Sequence, residues 1–208
     1  MLAALLIVTL SFADSTEMYY AQQNVQGLKT LLEQADTPSE KLLCRYRLYP
    51  LTRDESYLED LPAAPDPNRP ARQLALLAGL WGYRAAEAGF VLTAIRYGRR
   101  SSNFLDMARA ANPDDPFVLL VEGQSLIFRP AIAGKNVEAA LARFRQLERQ
   151  LEGAQQGQGV SLNEAQLWQW YALTELDREA EAQQLHQVLI DADLPSLYRQ
   201  FLADPPRS

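Results

Sequence analysis

Cysteine and histidine each occur once in the 208-residue chain, as Cys44 and His186, and that scarcity excludes several chemistries. No intramolecular disulfide, no zinc site built from cysteines and histidines and no four-cysteine iron–sulfur site can form. A Ser-His-Asp triad would have to use His186. Lysine is nearly as scarce, with Lys29, Lys41 and Lys135 alone, and the formal net charge is −6. No basic stripe is left to neutralise a phosphate backbone, so nucleic acid is not an expected partner. No stretch beyond the first ten residues reaches the ~18 uninterrupted apolar residues that a membrane helix needs. What the chain does have is core material: 48% of its residues are hydrophobic and 22% charged. That composition suits one compact domain or one short repeat array and is unlike a disordered protein.

The apolar run Leu2-Ala-Ala-Leu-Leu-Ile-Val-Thr-Leu10 ends in Ser11-Phe12-Ala13, with small residues at the two positions a signal peptidase reads. Residues 1–13 are similar to the apolar centre and cleavage site of a secretory signal, which makes Asp14 the expected mature N-terminus. No Lys or Arg precedes the run, and the rival reading makes it the apolar beginning of the first helix. Asp14, Ser15, Thr16 and Glu17 suit a helix N-terminus, so the first helix is expected to start near Ser15. No cysteine follows the run to carry a lipid.

Helix follows helix after that. Met18, Ala21, Val25, Leu28, Leu32 and Ala35 recur at steps of three and four, which predicts one helix over 18–35. Thr37-Pro38-Ser39-Glu40 supplies a cap with proline in the first turn, and the next helix is expected to stop at Pro50. A short turn of helix is expected around Asp54 to Leu61. Pro62, Pro65, Pro67 and Pro70 make 62–70 an extended strap between helices. Further helices are predicted over about 71–88, 90–111, 115–128, 136–152, 161–176 and 178–192, with a short amphipathic tail (Leu197, Tyr198, Phe201). The Gly153–Gly159 run reads as a linker, since it lacks the preceding strand and the lysine of a phosphate loop. Nothing alternates over a strand's length. The fold class is all-α.

Breaks after successive helix pairs prompt a search for repeats. The turn Asn112-Pro113-Asp114-Asp115-Pro116 resembles the end-of-repeat turn of tetratricopeptide repeats. Before it, Ser101, Leu105 and Ala108 stand at the small and bulky steps. After it, Gly123 and Leu126 stand in the first helix of the next repeat, and Ala140 with Phe144 makes an A-x3-F step. Trp81-Gly82, and Ala182 with His186, are weaker matches, and the loop 129–135 interrupts the period. The chain over 71–192 thus resembles a group of exported bacterial tetratricopeptide-like proteins with interrupted repeats. That resemblance implies stacked antiparallel helix pairs in an α-solenoid over 71–204, with the N-terminal helices of 14–61 packing on it. It also implies a non-enzymatic scaffold or adaptor of the bacterial envelope, binding a protein or peptide on its inner face. A helix-pair array of another kind is the structural alternative.

If these registers hold, Tyr83, Gln124, Ile127, Gln166 and Gln169 are the inner-face residues. The second functional reading is a small-molecule-binding accessory component of a solute-uptake system, using Trp81 and Trp168 or Trp170. No catalytic residue, cofactor or metal is expected. His186 lies beside the apolar face of Ala182, Leu185 and Leu189 and reads as a packed histidine. Cys44 reads as a buried thiol. Trp168-Gln169-Trp170-Tyr171 cannot all point inward, because adjacent residues on a helix diverge by ~100°; either one ring is exposed or the C-terminal tail covers it. Trp81 and Tyr83 pose the same problem. Arg99-Arg100, and Arg143, Arg145 and Arg149, read as solvated helix faces that pair with Glu148, Glu152 and Asp106. Glu179 and Glu181 face different ways on their helix.

Overall fold

The computed structural model describes residues 10–153 and 158–206, and every regular element among them is helical: α1 (Phe12–Ala21), α2 (Val25–Gln34), α3 (Pro38–Thr52), α4 (Ala71–Ala86), α5 (Val91–Ala111), α6 (Pro116–Phe128), α7 (Val137–Gly153), α8 (Leu162–Glu175), α9 (Glu179–Asp191) and α10 (Ser196–Ala203). Single 3-10 turns at Glu55–Leu58 and Ala131–Ala133 complete the set. The all-α expectation therefore holds for the described residues.

Local chemistry sets most of the boundaries. Thr37 and Glu40 form a reciprocal capping box, with the Glu40 amide donating to Thr37 Oγ1 at 3.2 Å and the Thr37 amide to Glu40 Oε2 at 2.9 Å. Asp115 caps α6 ahead of Pro116, and Ser161 caps α8. Three boundaries differ from expectation. The single helix predicted over 18–35 is two helices, because Gln23 adopts a left-handed φ of 57° and the Asn24 side chain takes the Gly27 amide at 2.8 Å. Apolar spacing survives the break because the intervening turn returns Leu28 to the core.

Pro50 does not stop α3 but lies in its last turn, where only one helical hydrogen bond is forfeited, and Arg53 at φ 54° ends the helix. The first helix begins at Phe12 rather than near Ser15, capped by Ser11, with Thr16 Oγ1 donating to the Phe12 carbonyl at 2.8 Å. Phe12 and Ala13 pack against the core. The apolar run up to Thr9 lies outside the described residues.

Consecutive helices pack as pairs, α4 with α5, α6 with α7 and α8 with α9, and the pairs meet through α4 on α6 and α7 on α8. Close approach rests on glycine. Gly123 lies under the Phe144 ring, so any Cβ there would overlap it, and Ala140 is fully buried beside it. Phe144 also stacks on Trp168 of the next pair, with ring centroids 5.9 Å apart. In the preceding pair the tight glycine is Gly79, whose added Cβ would lie 2.5 Å from the Tyr46 ring; at the expected position, Gly82, the nearest atom would be Ser101 Oγ at 3.7 Å. The proline strap is pinned by Trp81, whose Nε1 donates to the Pro62 carbonyl at 3.0 Å. Helices α1 and α3 complete the body, α3 against α4 and α1 against α10.

Candidate functional site

The surface formed by α4, α6 and α8 is where the five expected contact residues should lie, and side chains of the chain's own α3 reach all three of these helices. Tyr46 of α3 seats its ring over Gly79, meets Phe117 edge-on at 6.2 Å, stacks with Tyr83 at 5.5 Å and donates its hydroxyl to Gln124 Oε1 at 2.7 Å. The next residue, Arg47, reaches α8. Its guanidinium forms two hydrogen bonds with the Glu164 carboxylate, at 2.6 and 2.7 Å, and a third with the Gly159 carbonyl at 2.9 Å. The Tyr20 ring covers the guanidinium at 4.4 Å. The two side chains are only 1% and 3% exposed, and Arg47 Nε has no hydrogen-bond partner.

Tyr198 of α10 closes the cluster, donating to Glu17 at 2.9 Å and lying 3.3 Å from Ser161 Oγ. Gly159 is needed in this corner: its φ is +70° and an added Cβ would meet Ala13 Cβ at 3.1 Å.

Burial is the dominant electrostatic influence here. It raises the Glu164 carboxyl above the ordinary carboxylate range, outweighing the opposite pull of Arg47. It raises Tyr20, Tyr46, Tyr83 and Tyr198 as well, so these phenols keep their protons, and Tyr46 and Tyr198 donate them in hydrogen bonds. Outside the cluster, burial pushes the Cys44 thiol up to about 12, which leaves it unreactive.

The five expected inner-face residues lie as follows. Ile127 and Gln169 are buried, and neither reaches the surface. Gln166 and Gln169 both donate to Glu148, at 2.9 and 2.8 Å. Tyr83 and Gln124 are half-buried and hold Tyr46. The structure thus brings Tyr83 and Gln124 together through Tyr46, and Gln166 and Gln169 together through Glu148. Side chains of other helices of the same chain thus take these positions, α3 for Tyr83 and Gln124 and α7 for Gln166 and Gln169.

The tryptophans divide similarly. Trp81 is buried, and Trp168 is half-buried beneath Phe201 of α10, with ring centroids 5.0 Å apart. The C-terminal tail is therefore the cover for that aromatic cluster. The basic spots on α7 find partners on other helices, Arg143 with Glu122 at 2.8 Å and Arg145 with Glu181 at 2.8 Å, while Asp106 pairs with Arg109.

Two open surfaces stand out among the described residues. Between α9 and α10 lies a shallow groove of about 340 Å³, walled by Leu189, Ile190, Leu194 and Leu202 and edged by His186 and Arg199. His186 stacks on Trp170 at 5.6 Å, so a tryptophan ring lies directly behind this groove. At the start of α5, Phe90, Val91 and Leu92 are 79%, 76% and 82% exposed. Sequence reasoning passed over this second surface, although three consecutive large apolar residues after Gly89 were its visible signal. Among the described residues no group of His, Cys, Asp and Glu is arranged to hold a metal ion, and no helix is long and apolar enough to cross a membrane. Comparison with protein-family models, with curated proteins and with solved structures finds no match.

Proposed function

We propose that the chain is a non-enzymatic scaffold or adaptor of the bacterial envelope, built as a tetratricopeptide-like solenoid, that holds a protein or peptide partner. The closely packed helix pairs support this reading, with Gly123 under Phe144 and Phe144 on Trp168 as the step from one pair to the next. Since α3 reaches across α4, α6 and α8, we place the partner in the α9–α10 groove. The observation that carries this placement is the groove itself: apolar walls suited to a buried side chain, with Asp193 and Arg199 both in its lining and Arg199 able to meet a carboxylate. The proposed occupant is a short apolar peptide segment with an acidic residue.

Affinity capture from envelope extract with the parent chain and with Ile190→Asp tests the proposal. One defined partner retained by the parent and lost by the variant is the expected result, and identical capture by both refutes the groove. The small-molecule reading keeps one supporting observation, the position of Trp170 behind His186. Its signature is saturable quenching of tryptophan fluorescence by a solute, abolished by the same variant. Intact mass of the cell-derived protein tests export: a chain beginning at Asp14 is expected, and a retained Met1 in a cytoplasmic fraction refutes it.

A further inference from the structure

Beyond the partner groove, we infer that one edge of the molecule docks on an anionic lipid surface, through the tips at Phe90–Leu92 and Ile132. The Arg72–Asp115 ion pair, 3.2 Å, joins the first turn of α4 to the N-cap of α6, so these helices run parallel from a common level. Ala86 ends α4 and Phe128 ends α6, each about 20 Å beyond that level at 1.5 Å per residue. The turns that follow, 87–90 and 129–136, therefore emerge at nearly the same height on one edge. Lys135, 3.4 Å from Glu175, places the end of α8 there too.

Both of the first two turns carry apolar side chains that cover nothing. Phe90, Val91 and Leu92 stand out at the start of α5, and Ile132 is 99% exposed in the second loop. These are projecting tips rather than the walls of a groove. A projecting tip needs a soft apolar medium, whereas a protein partner would have to supply a matching pocket for each of two loops separated by 40 positions.

Charge favours the same occupant. In a chain of net charge −6, Arg96, Arg99 and Arg100 follow the first tip along α5, and none of the three forms an ion pair among the described residues. Leu92, Ile95 and Arg99 lie at i, i+3 and i+7, on one outward stripe. With the edge facing the bilayer, the arginines stand about 6 to 12 Å above Leu92, the depth at which phosphate headgroups lie over apolar side chains inserted by about 5–10 Å. Arg100 lies over the Trp81 ring of α4 at 4.7 Å. Three acidic groups on the edge are ion-paired, Glu87 with Arg53, Glu138 with Arg178 and Glu175 with Lys135, while the exposed Asp177 forms no ion pair among the described residues. The third turn, around Asp177, has no exposed large apolar side chain and takes no part.

The test is co-sedimentation of the full chain with vesicles of phosphatidylcholine alone or mixed with phosphatidylglycerol. The controls are Phe90→Ser/Leu92→Ser, Ile132→Ser and Arg96→Gln/Arg99→Gln. All these positions are exposed, so unaltered circular dichroism and melting are expected. Binding should require phosphatidylglycerol, weaken with added salt, and fall roughly tenfold or more in the double serine and double glutamine variants. Absence of binding, equal binding to neutral vesicles, or equal binding by parent and variants overturns the proposal, since the last would place the contact elsewhere in the chain. Capture of a protein partner lost with Phe90→Ser/Leu92→Ser, without vesicle binding, also overturns it and assigns the edge to that protein. Ile190→Asp leaves vesicle binding unchanged, so failure of the groove and failure of the edge are separate results.

Discussion

Arg47 of α3 and Glu164 of α8 lie 117 positions apart in the chain and meet through two charge-assisted hydrogen bonds of 2.6 and 2.7 Å. Because both are buried, each charge depends on the other, and truncating one leaves the other uncompensated. Arg47→Met or Glu164→Leu alone is expected to cost about 3–5 kcal/mol, whereas the double variant costs less than either. Urea denaturation of the four proteins measures this. Additive losses would mean that the pair is not coupled.

Glycine positions divide by what stands over them. Gly79→Ala must push the Tyr46 ring away and is expected to cost about 1–3 kcal/mol, while Gly82→Ala meets only Ser101 Oγ at 3.7 Å and is expected to be neutral or stabilising by up to about 1 kcal/mol. Gly123→Leu and Ala140→Phe fall in the costly class, at about 1–3 kcal/mol each. Unchanged unfolding midpoints for these last two would contradict the close packing of α6 on α7.

Acid should loosen α3 at its start. Hydrogen bonds from Thr37 and Asp36 hold the Glu40 carboxyl below its usual value of 4.5. A depressed acid stabilises the fold above its unfolded pKa, and the contribution is lost as pH falls through the folded value. Thr37→Ala is expected to cost about 1 kcal/mol at neutral pH. Glu40→Gln keeps a neutral acceptor, so the difference between parent and Glu40→Gln should shrink as pH drops below about 4. A difference that stays constant from neutral pH into acid would rule out the capping carboxylate as its source.

Cys44, fully buried and with its thiol pushed up to about 12 by that burial, should not react with a disulfide reagent in the native chain. Labelling is expected only on unfolding, with a rate that follows denaturant. Rapid labelling under native conditions would show that α3 detaches from the body.

Much of the architecture was legible in local chemistry. Thr37 with Glu40, Asp115 with Pro116 and Ser161 each announce a helix start, because a cap involves residues only three or four apart. Gly123, Ala140 and Phe144 were readable as a contact for a similar reason: small residues spaced against a bulky one on neighbouring helices mark surfaces that can meet closely. Gln23 was not readable, since a left-handed residue other than glycine leaves no mark in apolar periodicity, and α1 and α2 looked like one helix. Pro50 misled in the opposite sense, as a proline in a last turn costs little and the tertiary packing of Leu48 and Tyr49 holds the helix through it.

By itself, the sequence determined the helical class, most of the caps, and the absence of cysteine, histidine and lysine clusters. Each follows from the identity of residues near one another in the chain. Only the tertiary structure decided that Tyr46 and Arg47 cover the surface of Gln124 and Glu164, and that Ile127 and Gln169 are enclosed. It alone brought the tips at Phe90 and Ile132 to one edge. Periodicity states which side of a helix is apolar; it does not state which distant segment will cover that side, because that choice is made by burial and pairing between residues as far apart as Arg47 and Glu164.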